Sequence, residues 1–164
     1  MITLKNILAA TDFSEPSEAA LAYGRALART FGATLHVLHV VRDVSTAYGV
    51  EGYVVSTPQL QQEIEGAARA QIDAVLVDND EPPLPARGVL ITSNAPAAAI
   101  VEYAKRERID LIVTGTHGRG AVAHLVMGSV AERVVRTAPC PVLTLRHPER
   151  EFVIPDALVA VAKA

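Results

Sequence analysis

Three glycines and a serine follow an apolar run in the second half of the chain, namely Gly115, Gly118, Gly128 and Ser129. Glycine lacks a Cβ atom, so its backbone can adopt positive φ angles and approach a ligand closely. The residues from Ser129 to Glu132 have the sequence of a capping box, which predicts a helix with Ser129 as its N-cap. Unbonded N–H groups and the helix dipole favour an anion at such a helix start. The pattern therefore predicts a phosphate-binding loop, for which a nucleotide is the natural ligand.

The sequence lacks the motifs of several common enzyme classes. It has only three lysines, Lys5, Lys105 and Lys163, and no G-x4-G-K-[ST] motif, which excludes P-loop ATPase chemistry as a first interpretation. It also has no G-x-S-x-G and no H-E-x-x-H motif, so acyl transfer and metal-assisted proteolysis lack support. We therefore rank binding above catalysis. Slow ATP hydrolysis stays open as a side activity, because phosphoryl transfer depends mainly on positioning and electrostatics.

The composition fits a single globular domain. The chain has 164 residues, of which 50% are hydrophobic and 20% charged, and its formal net charge is −3. No segment concentrates Lys or Arg enough to follow a nucleic-acid backbone, so we expect no nucleic-acid partner. No window approaches the roughly 20 apolar residues of a membrane helix, so we expect a cytoplasmic protein without membrane contact. The single cysteine, Cys140, is interpreted as a small buried strand residue.

Five short runs rich in Ile, Val and Leu are apolar on both faces, as buried parallel strands are. They cover residues 5–11, 33–41, 87–92, 109–114 and 140–145, and stretches with helical spacing lie between them. This alternation predicts an α/β fold with a doubly wound parallel sheet and helices on both faces. Thr57, one residue before Pro58, and Asn94, two residues before Pro96, are predicted helix caps. His36 and His39 should point to opposite faces of strand two, which disfavours a shared metal site.

The glycine pattern resembles the G-x2-G-x9-G-[ST] signature of the ATP-binding branch of the universal stress protein family. The opening residues 5–14 look like the family's first strand and its terminal Asp12, and residues 138–143 look like its last strand. The resemblance covers about residues 2–146. It implies a five-stranded sheet of order 3-2-1-4-5 with an adenine nucleotide alpha-hydrolase-like, Rossmann-type fold. Strands one and four are neighbours in that order, so Asp12 and Gly115 would converge at the crevice where the winding reverses.

The resemblance also implies a set of nucleotide-binding residues, with ATP and Mg²⁺ as the ligands. Asp12 would contact the nucleotide or its divalent ion, although its carboxylate could instead bond the amides of the following helix start. His117 and Arg119 could offset phosphate charge in the absence of lysine, or could equally be exposed to solvent. The complete set is Ala10, Thr11, Asp12, Val40, Gly115, Thr116, His117, Gly118, Arg119, Met127, Gly128, Ser129 and Val130.

The expected function is that of an ATP-binding universal stress protein in which nucleotide state controls conformation or association. The resemblance implies a homodimer formed through the last strand, residues 140–145, and a further protein partner whose identity the sequence does not show. Two alternatives stay open, a nucleotide-independent interaction module and a slow ATP hydrolase. Residues 1–147 would form the domain, and the apolar tail 148–164 would dock on its own domain or on a partner subunit. The segment 42–57 is interpreted either as a lid or as a passive connection.

Overall fold

The computed structural model describes residues 1–45, 58–77, 83–116 and 127–146. Several predictions fall outside these ranges and stay predictions. They concern His117, Gly118 and Arg119 of the glycine motif, Thr57 as a helix cap, most of the segment 42–57, and the docking of the tail 148–164.

Strands and helices alternate along the described chain, as predicted. The elements are β1 (Asn6–Ala10), α1 (Glu15–Phe31), β2 (Thr34–Val41), α2 (Pro58–Leu76), β3 (Ala86–Thr92), α3 (Pro96–Arg106), β4 (Leu111–Gly115), α4 (Ser129–Thr137) and β5 (Val142–Leu145). The five strands form one sheet of order β3-β2-β1-β4-β5, and every neighbouring pair is parallel. The predicted α/β class, the doubly wound sheet and the strand order are therefore confirmed. None of the described helices is long and apolar enough to cross a membrane.

The sheet is buried on both faces because its strands carry apolar residues at both odd and even positions. In β2, Leu35 and Val37 face the layer that contains α1, whereas Leu38 faces the layer that contains α3. All three side chains are at most 1% exposed. Burying an aliphatic side chain of this size stabilises the fold by about 2 kcal/mol relative to exposure. The continuous apolar runs of the sequence are therefore explained by two cores, one on each face.

Helix α2 packs directly on the backbone of β3 at Gly88. A Cβ atom added there would lie 2.2 Å from Ile72 Cγ2 and 2.9 Å from Leu76 Cδ1, closer than side-chain atoms approach one another. Ile72 itself is fully buried. The absence of a side chain at position 88 therefore sets the distance between α2 and the sheet.

The predicted cap of α3 is wrong by one residue. Its N-cap is Ala95, with φ −123° and ψ 71°, and no side chain caps the helix. The Ala95 carbonyl accepts the first helical bond, from Ala99 N–H at 3.0 Å, while the Ala95 N–H donates to Ser93 Oγ at 3.0 Å. The serine hydroxyl thus orders the turn into the helix, so the Asn94 side chain is not used as a cap.

Cys140 is half-buried and precedes the last strand instead of lying inside it. Its flanking prolines have no N–H group to donate to a strand ladder, which delays the start of β5 to Val142. Pro141 still contributes its carbonyl, which accepts a bond from Ile112 N–H at 3.0 Å. Burial raises the pKa of the Cys140 thiol, as expected for an inert packing residue.

His36 lies at the centre of a polar cluster in the layer of α3. Its ring is fully buried, with Nδ1 at 2.9 Å from the Tyr103 hydroxyl, and Nε2 at 3.3 and 3.1 Å from Arg87 Nε and Nη2. Because a guanidinium only donates, Nε2 must accept, so the ring proton is on Nδ1 and the histidine is neutral. Arg87 also pairs with Glu107, at 3.5 Å. Burial, assisted by the charge of Arg87, lowers the pKa of His36 to about 4.

Candidate functional site

The carboxyl ends of β1 and β4 lie side by side in the middle of the sheet. Ala10 of β1 pairs with Thr114 of β4, so the residues that follow each strand emerge next to one another. β2 and β3 extend the sheet on one side of this pair, and β5 extends it on the other. In open parallel sheets, ligands bind at this reversal of the winding. The fold therefore places Asp12 and Gly115 at the same edge of the sheet, as predicted.

The turn from β1 into α1 is closed by short side-chain bonds. Ser14 is the N-cap of α1, and both its N–H and its hydroxyl donate to Asp12 Oδ1, at 3.1 and 2.5 Å. Thr11 Oγ1 accepts from Phe13 N–H at 2.9 Å and lies 3.0 Å from Ser17 Oγ. Asp12 thus bonds the backbone at the start of α1, which is the alternative to ligand contact that the sequence leaves open.

Phe13 lies in this turn and His39 of β2 packs against it, although no sequence pattern singles out Phe13. Phe13 has φ 60°, in the left-handed region, and its ring centroid lies 4.6 Å from that of His39 with the planes inclined at 42°. His39 Nδ1 lies 2.8 Å from the Thr11 carbonyl oxygen. His36 contacts Tyr103 on the other face of the sheet, so the two histidines are separated as predicted.

Gly115 is required for close packing. A Cβ atom added at this position would lie 2.9 Å from the Pro16 carbonyl oxygen and 3.1 Å from Pro16 Cβ. The end of β4 therefore lies directly against the first turn of α1. The expectation of positive φ angles is wrong for Gly115 and Gly128, the two motif glycines that the structure describes. Gly128 has φ −72°, and among the described glycines only Gly32 has a positive φ angle.

The predicted capping box at the start of α4 is also wrong. Gly128 is the N-cap, with ψ 151°, and its carbonyl accepts from Glu132 N–H at 2.9 Å. Ser129 is already the first helical residue, and no side chain caps the helix. The reason is a backbone bond, because Gly128 N–H donates to the Thr116 carbonyl at 2.6 Å and so fixes Gly128 as the last extended residue. This bond holds the N-terminus of α4 against the end of β4.

The first amides of α4 therefore lie at the sheet edge where β1 and β4 end. An α-helix has no internal acceptor for the N–H groups of its first turn, which here belongs to Ser129 and Val130 and the residue after them. Both side chains are exposed, and Met127 is half-buried. The amides at the start of α4 thus lie at this edge, although Ser129 does not cap the helix.

The remaining predicted residues line the same edge. Ala10 and Thr11 are each 8% exposed, and Thr11 N–H extends the ladder by donating to the Leu38 carbonyl at 2.9 Å. Val40 is half-buried and packs against the core on the side of α3. Thr116 is 9% exposed. The fold therefore gathers ten of the thirteen predicted positions at one edge, and the other three, 117–119, lie outside the described residues.

A protein-only metal centre has no support within the described ranges. No three His, Cys, Asp or Glu side chains there are grouped to hold an ion. Asp12 stands as one carboxylate whose Oδ1 already accepts from Ser14. A divalent ion at Asp12 would therefore need most of its oxygen ligands from a bound nucleotide and from water, as Mg²⁺ commonly takes them.

Comparison with known proteins finds relatives over most of the chain. The sequence model of the universal stress protein family matches residues 3–146. The chain is 36% identical to a universal stress protein of Thermus aquaticus over 142 residues, covering 87% of this chain and 98% of that protein. Among solved structures, that of UspA from Lactobacillus plantarum superposes with a TM-score of 0.67 at 26% identity, covering 89% of this chain and 100% of the other.

One structural neighbour was solved with an adenine nucleotide. It is a universal stress protein from Archaeoglobus fulgidus in complex with dAMP. It is 20% identical to this chain with a TM-score of 0.53, and the match covers 88% of this chain and 99% of that one. At this identity the likeness shows the fold alone, and the bound nucleotide is a property of that neighbour.

Proposed function

The chain belongs to the universal stress protein family, and we propose that it is an ATP-binding member whose nucleotide state controls its conformation or association. The observation that carries the proposal is the bond from Gly128 N–H to the Thr116 carbonyl, 2.6 Å long. It holds the first amides of α4 beside the paired ends of β1 and β4. Helix-start amides at such an edge favour a phosphate group. The complex of a structural neighbour with dAMP supports the choice of an adenine nucleotide.

In the proposed complex, the sheet edge binds the adenosine half and the glycine motif binds the phosphates. Ala10, Thr11 and Val40 supply the pocket for the base, and Asp12 contacts the nucleotide or its Mg²⁺. The phosphates lie against the glycine motif, Gly115–Arg119 and Met127–Val130, and the helix-start amides of Ser129 and Val130 donate to them. His117 and Arg119 add positive charge, which lysine supplies in P-loop proteins.

The proposed function is that of a cytoplasmic switch that works by binding. A nucleotide shifts a conformational equilibrium only if it binds one state more tightly than the other. Contacts to the nucleotide from both Asp12 and Ser129 would provide such a difference, because both can form only in the state that brings the two residues to the ligand. A downstream partner protein would read the shift. Slow ATP hydrolysis and nucleotide-independent interaction are the two competing outcomes of the experiment below.

Calorimetric titration of the purified protein with ATP and Mg²⁺ tests the proposal. We expect a micromolar Kd for the wild type and binding at least tenfold weaker for Gly118→Ala, a loss of about 1.4 kcal/mol. Gly66→Ala is the matched control, because a Cβ atom at this α2 position meets nothing within 4 Å. It should bind ATP as the wild type does.

The alternatives give different results in the same experiment. Absence of heat from nucleotide-free wild type would contradict ATP binding and favour an interaction module. Steady release of phosphate during the titration would favour the hydrolase. Equal binding by the Gly118→Ala and wild-type proteins would place the phosphates away from the glycine motif.

The proposed homodimer would form through the outer edge of β5. In the described residues β5 pairs with β4 alone, and the carbonyls of Pro141 and Leu145 accept bonds from Ile112 N–H in β4 and from Thr116 N–H just after it. Backbone groups alternate in direction along a strand, so the N–H groups of Val142 and Thr144 point outward. An edge of this kind can pair with a second copy.

Replacing the outward donor at position 144 tests the dimer. We expect wild-type protein to sediment at twice the 17.4 kDa of one chain. Thr144→Pro removes one outward N–H while leaving the bonds to β4, so it should shift the population to monomer. Thr144→Val keeps the donor and should remain dimeric. A Thr144→Pro protein that is folded by circular dichroism and still dimeric would contradict pairing through this edge.

A further inference from the structure

The turn that carries Asp12 contains a backbone conformation that its residue type disfavours. Phe13 has φ 60°, a region in which a side chain with a Cβ atom is crowded and which proteins normally assign to glycine, Asn or Asp. Such a conformation persists only where surrounding contacts hold it, and these cases concentrate at ligand sites. The question is which contacts hold Phe13, because the same contacts determine where the Asp12 carboxylate lies.

One imidazole contacts the residues on both sides of Asp12. His39 Nδ1 lies 2.8 Å from the carbonyl oxygen of Thr11, and its ring lies 4.6 Å from that of Phe13. A carbonyl oxygen can only accept, so Nδ1 carries the hydrogen and donates it in either charge state of the ring. His39 thus fixes the residue before Asp12 by a hydrogen bond and the residue after it by ring packing.

Short bonds within the turn convert this anchoring into a position for the carboxylate. Thr11 Oγ1 accepts from Phe13 N–H at 2.9 Å, and Asp12 Oδ1 accepts from Ser14 N–H at 3.1 Å. These bonds therefore hold the backbone from 11 to 14 together as one unit. Since β2 carries His39, the unit is tied to the sheet as well as to α1.

We propose that His39 and Phe13 are positioning residues that hold the turn 11–14 so that Asp12 faces the nucleotide. The inference rests on the proposed nucleotide site and adds the residues that preorganise it. Neither side chain touches the ligand in this proposal. Preorganisation raises affinity because the free protein already holds the bound arrangement, so less conformational freedom is lost on binding.

Two substitutions at position 39 separate the hydrogen bond from the volume of the ring. His39→Leu removes the donor to Thr11, whereas His39→Asn places an amide N–H where Nδ1 was. We expect His39→Leu to weaken binding of ATP and Mg²⁺ about tenfold, the scale found when a partner behind a binding group is lost. His39→Asn should stay within about threefold of wild type. Ile72→Val, a buried change in α2, controls for general destabilisation and should leave the Kd unchanged.

Amide hydrogen exchange tests the same idea without nucleotide. The N–H groups of Phe13 and Ser14 are bonded inside the turn, so they should exchange faster in His39→Leu and at the wild-type rate in His39→Asn. Phe13→Gly gives a further test, because glycine accepts φ 60° while losing the contact with His39. Its thermal midpoint should stay at or above that of the wild type while its affinity for ATP falls.

The outcomes distinguish this inference from the proposed function. If wild-type protein binds no nucleotide, both are overturned. If wild type binds and His39→Leu binds equally well, the nucleotide site stands and the positioning role is overturned. Equal exchange of the Phe13 and Ser14 amides in wild type and His39→Leu would also overturn it, as would a Phe13→Gly variant with undiminished affinity.

Discussion

Lowering the pH from 6.5 to 4 is expected to remove up to about 3 kcal/mol of unfolding free energy through His36 alone. The pKa of His36 is lowered from 6.5 to about 4, first by burial and then by the charge of Arg87. Protonation of Nε2 would also break its contact with Arg87 Nη2, at 3.1 Å. His36 therefore binds a proton less readily in the folded state than in the unfolded chain.

The direction of the effect follows from the two pKa values. Above pH 6.5 both states are neutral and the stability is fully present. Between pH 6.5 and about 4 the unfolded chain binds more protons than the folded one, so the unfolding free energy falls as the pH falls. Below about pH 4, His36 is protonated in both states and contributes no further change.

Urea unfolding at a series of pH values, with His36→Asn as the control, measures this contribution. The asparagine keeps a donor towards the Tyr103 hydroxyl, 2.9 Å from Nδ1 in the wild type, and does not titrate. Carboxylates that titrate near pH 4 are present in both proteins, so their effect cancels in the difference. Stability curves that run parallel from pH 7 to pH 4 would contradict the neutral, Arg87-bonded histidine.

Gly88→Val is expected to lower the unfolding free energy by about 3 kcal/mol, at the upper end of the usual range for overpacking. A Cβ atom at this position already overlaps Ile72 Cγ2, at 2.2 Å, and valine adds two methyl groups. The Leu76 contact lies at the far end of a flexible side chain. The Ile72 side chain is branched at Cβ, so its Cγ2 methyl group cannot rotate away freely. Helix α2 must therefore move outward, with loss of its packing on β3.

The clash can be assigned by a double-mutant cycle with Gly88→Ala and Ile72→Ala. Removing Cγ2 leaves Ile72 Cβ, 3.6 Å from the new Cβ, which is an ordinary contact. The double variant should thus be more stable than the sum of the two single losses predicts, by about 1 kcal/mol or more. Gly66→Ala serves as the tolerated glycine substitution in the same helix. If chemical denaturation shows that the two single losses of unfolding free energy simply add, the strain does not arise from the contact between positions 88 and 72.

The architecture could be predicted because hydrophobic patterning and the family resemblance agree on it. Apolar residues on both faces of β1 and β2 require two covering layers, and the resemblance supplied the strand order. That order alone brings Asp12 and Gly115 to one edge. Element boundaries were less predictable, since Cys140 was expected inside a strand that begins only at Val142.

The details of the site depend on contacts that no local pattern encodes. The bond between Gly128 and Thr116 decides that glycine, and not Ser129, ends the extended segment before α4. Gly115 is small because Pro16 packs on it, not because its φ angle is unusual. The pair Phe13 and His39 is brought together by the β1–β2 register, in which Ala10 faces Leu38. Each of these contacts joins residues distant in sequence.

The bond from Gly128 N–H to the Thr116 carbonyl has a consequence for protein engineering. Thr116 and Gly128 are twelve residues apart in the sequence, and the entropy of closing a chain between two such anchors depends only weakly on its length. Because this bond joins the end of β4 to the start of α4, we expect other sequences between the two residues to leave the sheet in place. Grafting other sequences between these two anchors is therefore a route to changing the proposed nucleotide site while keeping the host domain.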